Sequence, residues 1–224
     1  MRKYFELGGI VAAIVLIAFG AVAVTMGVNG RHTVDKSLKN EYIVGSSDMT
    51  PSTIRAEAQK AGIAGSVKEW PTTSVANEKI DTGAKARAMA QYMHIHALEA
   101  THGFTYAQMG IYTAKPGTPK AQLMPGGGTE DPAYAAIDPQ TKQPIQNGAR
   151  QVWVTETALG TALNTSYMAD QLGLFGIVVG VALLLTGFGF AILAVGGALR
   201  NPDTAVTFLR RHARKHKTPA VPVA

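Results

Sequence analysis

The sequence contains no cysteine. That excludes a disulfide scaffold, thiolate zinc or iron–sulfur ligation, and a cysteine nucleophile. Charge is scarce as well: 16% of residues are Asp, Glu, Lys or Arg, against roughly 25% in an ordinary soluble domain. With 224 residues the length accommodates one or two small domains and not a large multidomain enzyme. The deficit in charge is not spread evenly. Two long blocks carry none at all.

The first block is 7–28, LGGIVAAIVLIAFGAVAVTMGV, and the second is 172–199, LGLFGIVVGVALLLTGFGFAILAVGGAL. A helix of about 20 apolar residues crosses the roughly 30 Å hydrocarbon core of a bilayer. Backbone in that core must satisfy its own hydrogen bonds, so both blocks read as transmembrane helices in spite of their glycines. For the first block the alternative is a cleaved signal peptide, with Arg2 and Lys3 ahead of it and Ala21-Val22-Ala23 as a small-residue cleavage site. The apolar run exceeds the usual 7–15 residues and continues past that site, which favours an uncleaved anchor.

Charge placement orients the spans. Residues 1–6 carry Arg2 and Lys3 against Glu6, the middle region 29–171 carries equal numbers of basic and acidic side chains, and the tail 200–224 is basic. Basic flanks stay in the cytoplasm, so both termini are expected there, in a multi-pass protein of the plasma membrane whose region 29–171 is extracytoplasmic. Nucleic acid is not an expected partner, because the positive charge reports topology and comes without a reading motif. No ionisable residue lies within either block, which weighs against a proton relay or transporter.

The middle region lacks two-residue alternation and is rich in helix signals, so an all-α fold is expected. Thr50 caps a helix opening at Pro51 and closing at Gly62. Asp81-Thr82 opens the strongest helix, GAKARAMAQYMHIHALEATHG, which ends near Gly103. Thr105 with Gln108 is a capping box for a short helix through Ile111. Between residues 114 and 148 lie 6 of the 11 prolines and Gly126-Gly127-Gly128, which predicts a long surface loop without a core of its own. Helical signal returns at Ala149 and continues into the second span, with Gly160 as the expected bend and with Trp153 and Leu163 placed to pack. The expected architecture is an antiparallel helical bundle on two membrane legs.

Candidate metal ligands are His96, Glu99 and His102 on the central helix, beside His94. Histidine and carboxylate are metal ligands, and two His with one carboxylate make the ferrous oxygenase triad, but residues two apart point about 200° away from each other on a helix, so His94 and His96 cannot share an ion. Capping and surface roles near a helix C-terminus account for these histidines without a metal. No nucleophile elbow, phosphate-binding loop or zinc-protease helix is present; no cofactor is expected. Gly176-xxx-Gly180 in the second span and Gly9-xxx-Ala13 in the first are small-residue pairs suited to close helix packing. In the tail, Asn201-Pro202-Asp203 starts a helix whose Arg210, Arg211, Arg214, Lys215 and Lys217 surround an apolar face and fit an anionic lipid surface.

The stretches ARAMAQYMHIHALEATHGFTY (86–106) and ARQVWVTETALGTALNTSYM (149–168), with the apolar run 175–199, resemble a group of small actinobacterial membrane proteins with two spans and an extracytoplasmic helical segment. Many of these are labelled aromatic ring-opening dioxygenases. Such chemistry needs an iron site that the histidine spacing does not supply, so the resemblance implies topology and no mechanism. The expected function is a non-catalytic membrane scaffold or accessory subunit of a larger cell-envelope complex, in contact with the bilayer and with membrane protein partners. A homo-oligomeric envelope sensor or pore is the alternative, and a metal-dependent enzyme at His96, Glu99 and His102 is a third reading.

Overall fold

The computed structural model describes residues 2–196. Four α-helices carry the architecture: α1 (Arg2–Asn40), α2 (Pro51–Lys60), α3 (Gly83–Ala100) and α4 (Gly148–Val195). Single 3-10 turns lie between them, and the described residues contain isolated β-bridges but no strand. Within the described residues, one compact unit is made of 2–31 and 172–196, and the other is His32–Gln171.

The first unit is the apolar one. Both α1 and α4 are long and apolar enough to cross a membrane. Their contact follows a seven-residue repeat of small side chains. A Cβ added to Gly20 would lie 2.8 Å from the Gly180 carbonyl oxygen, and one added to Gly27 would lie 2.5 Å from that of Gly173. A Cβ on Gly187 would stand 3.2 Å from the Ala13 carbonyl oxygen. The seam is therefore Ala13, Gly20 and Gly27 against Gly187, Gly180 and Gly173, in antiparallel order. Seven residues is the period that keeps one face of a helix on its neighbour. Backbones this close gain dispersion contacts, which drive helix association where lipid removes the hydrophobic term.

The second unit has a conventional core. α3 is buried on most of its circumference, through Ala86, Ala90, Tyr92, Ile95, Ala97 and Leu98 among others, which makes it the central helix. Ile54 and Ala58 of α2 are four residues apart and fully buried, and α2 packs on α3. Leu38 near the end of α1, and Trp153 and Leu163 of α4, complete the same apolar cluster. Each large side chain so buried contributes about 1.5–3 kcal/mol.

Local rules explain the helix ends. Thr50 Oγ1 accepts from the Thr53 amide at 3.2 Å with Pro51 at the first helical position, and Gly62, at φ +73°, ends α2. Thr82 caps α3 through the Lys85 amide. The end of α3 is a Schellman turn: the Gly103 amide donates to Leu98 O at 2.7 Å and the His102 amide to Glu99 O at 3.2 Å. His102 itself takes the left-handed position, φ +53°, which is usually a glycine's.

Four expectations change. The helix holding the first apolar block does not stop at Val28 but continues to Asn40, because Asn29–Asn40 contains no proline and its Val34 and Leu38 pack on the second unit's core. The capping box of Thr105 and Gln108 is formed, but it closes one 3-10 turn, Tyr106–Gln108; Met109 is extended and the Gly110 amide donates to Gly127 O at 2.9 Å, so no helix reaches Ile111. α4 runs through Gly160 without interruption. The Pro- and Gly-rich stretch has no α-helix before α4 opens at Gly148, yet it is cross-tied: Tyr112 bridges both Thr129 and Gln146, Ala114 bridges Ala135, and Ile137 bridges Pro144.

Candidate functional site

The histidines of α3 separate into different surroundings, as helix geometry requires. His94 Nδ1 lies 3.1 Å from Glu156 Oε1 of α4, and its ring meets the edge of Trp153 at 5.2 Å between centroids. On this side Arg87 holds Glu69 through one guanidinium nitrogen and Asn164 Oδ1, at 2.8 Å, through another. Lys68, Gln91 and Asn164 line the same shallow pocket. Glu69 is paired with Arg87 and Glu156 with His94, so the cluster acts as a clasp between α3, α4 and the segment that precedes α3.

His96 faces elsewhere. Its Nε2 is 2.9 Å from Asp48 Oδ2, and the carboxylate of Glu57 on α2 joins them, so that one ligand atom from each of Asp48, Glu57 and His96 lies within 4.8 Å of the others. All three are partly buried. Glu99 and Lys60 line the cleft over this cluster. Asp48 sits in the turn closed by the Met49 amide on Ser46 O at 3.1 Å. The Ser46 hydroxyl, and secondarily the Asp48 amide and the charge of His96, hold the Asp48 carboxyl below its ordinary value, against a smaller opposing effect of burial. Carboxylate and imidazole together are ligands for first-row divalent metals.

Of the residues singled out from the sequence, His96 is in this cluster and Glu99 is on its rim. His102 is not: it is the exposed left-handed residue of the turn after α3. Asp48 and Glu57 escaped sequence reading because they lie 48 and 39 positions before His96, where no local spacing signals a shared site. Ala13 and Gly180 are in the helix seam described above. Gly9 is buried, and Gly176 is at the seam's margin, where an added Cβ would meet Ala23 O at an ordinary 3.6 Å. The basic residues Arg210, Arg211, Arg214, Lys215 and Lys217 lie outside the described residues.

On the far side of α3, Trp153 Nε1 donates to Phe104 O at 2.8 Å and is 3.2 Å from Thr101 Oγ1. Tyr92 is fully buried, its hydroxyl donates to Thr73 O at 3.1 Å, and burial pushes its pKa up to about 12. Both are polar atoms satisfied inside the core, and so they fix packing. Arg150 stacks over Tyr106 at 4.1 Å and reaches Glu130 Oε1 at 3.2 Å, tying the start of α4 to the cross-tied stretch.

No protein-family model matches the chain, and no curated protein or solved structure matches it.

Proposed function

We propose that the chain is an integral membrane protein of the cell envelope whose role is that of a non-catalytic scaffold or accessory subunit. In this reading both termini are cytoplasmic and His32–Gln171 is the extracytoplasmic domain. The observation that carries it is the Gly/Ala seam between α1 and α4. It uses up the inward faces of both apolar helices and leaves large side chains outward: Ile14, Phe19, Leu172, Phe175, Val178 and Ile192 are each at least 60% exposed. Two helices in backbone contact enclose no path for an ion or solute, so a pore needs further copies. An outward surface of this kind serves lipid and the helices of a partner.

The charge-balanced domain fits the same role. Its Arg87–Glu69 and His94–Glu156 pairs are internal ties, and the cross-tied stretch 110–147 presents proline-rich turns to solvent. Extraction of the full chain in mild detergent, with native mass and identification of co-purifying chains, tests the proposal. Reproducible membrane partners are the expected result. A lone monomer with no partner contradicts it, and a discrete homo-oligomer without other chains supports the sensor or pore instead.

A further inference from the structure

We propose that Asp48, Glu57 and His96 form a binding site for a first-row divalent cation, with Zn²⁺ bound more tightly than Mn²⁺ or Fe²⁺. The site does not depend on the scaffold reading. Three separate elements supply the ligands: the Ser46–Met49 turn, α2 and α3. An ion about 2.0–2.2 Å from each of its ligands holds them no more than about 4.4 Å apart. Ligand atoms that already lie within 4.8 Å of one another reach that spacing by small side-chain rotations.

An ion pair between His96 and Asp48 does not explain the third member. Glu57 brings a second carboxylate against the first, and like charges at this range repel. Glu99 adds a further negative group at the cleft, where Lys60 is the ammonium. Three carboxylates against one ammonium and one imidazole leave a deficit of positive charge that a divalent ion removes. Imidazole with carboxylate selects zinc, iron or manganese chemistry over calcium or magnesium, and zinc stands above manganese and iron in intrinsic affinity. Three protein ligands in an open cleft leave a coordination position for water. Because the ligands come from three segments, an ion that binds only the folded chain stabilises it.

The test uses the untagged full-length protein in mild detergent, stripped with chelator and titrated with Zn²⁺ by calorimetry, with bound metal counted by mass spectrometry. The expected result is close to one zinc per chain and an unfolding midpoint that rises with zinc concentration. Glu57→Gln, which keeps the side-chain shape and the His96–Asp48 contact, weakens binding at least tenfold, and His96→Gln abolishes it. His102→Ala binds as the unaltered chain does. Glu57→Gln keeps the proposal falsifiable if His96→Gln fails to fold. An unaltered chain that takes up no zinc, or a Glu57→Gln chain that binds equally well, overturns the site and leaves His96–Asp48 as a structural ion pair. Neither outcome bears on whether the protein has membrane partners.

Discussion

The indole nitrogen of Trp153 donates to the carbonyl oxygen of Phe104 at 2.8 Å, which fastens α4 to the turn that ends α3. Thr101 completes the knot: its hydroxyl reaches Ala97 O at 2.8 Å and Phe104 O at 2.6 Å. Trp153 is only 5% exposed, so this bond is shielded from water. Trp153→Phe, which deletes the donor and most of one ring, should cost about 1–3 kcal/mol, and Trp153→Ala about 3–5 kcal/mol. Chemical unfolding of the full chain followed by circular dichroism gives both values; equal stability of Trp153→Ala and the unaltered chain would refute the role assigned to this residue.

Gly20 and Gly180 face each other across the seam in backbone contact. Gly20→Leu or Gly180→Leu must push α1 and α4 apart, and should lower the thermal midpoint in detergent and the yield of folded protein. Gly8→Leu and Gly189→Leu are the controls, since an added Cβ meets nothing within 4 Å at either position. Similar behaviour of all four variants would mean that the seam does not hold the helices.

The seam also shows where sequence reading stopped. A four-residue spacing such as Gly176-xxx-Gly180 is visible in one chain segment alone, whereas the seven-residue seam becomes apparent only when two helices 150 or so residues apart are laid side by side. Local signals fared better, because a cap involves its own neighbours: Thr50, Thr82 and the Thr105–Gln108 pair all do what their positions imply. Six prolines kept α-helix out of 114–147, but the pairing of Tyr112 with Thr129 and Gln146 carries no period and left no trace. The Asp48–Glu57–His96 cluster was invisible for the same reason. His96 alone stood out, and its neighbours on α3 were the only partners that spacing could offer it.

Acid sensitivity follows from Asp48. Its folded-state pKa lies below the unfolded value, chiefly through the Ser46 hydroxyl. A depressed carboxylate contributes stability that is present above the unfolded pKa, near 3.9, and lost as pH falls through the folded value. Asp138, lowered by the amides of Thr141 and Gln140, acts in the same direction. Ser46→Ala should therefore reduce stability at neutral pH and flatten its decline below about pH 4. A pH series of unfolding midpoints for Ser46→Ala and the unaltered chain checks this, and parallel curves would refute it.

The central claim is that the chain crosses the membrane twice with His32–Gln171 outside. The sequence has no cysteine, so single cysteines can be introduced without background. Gln140→Cys lies in an exposed turn of the cross-tied stretch, and Ala220→Cys lies in the basic tail. In intact cells, a membrane-impermeant maleimide should label Gln140→Cys and spare Ala220→Cys until the membrane is opened. Labelling of Ala220→Cys in intact cells, or protection of Gln140→Cys, would contradict the account.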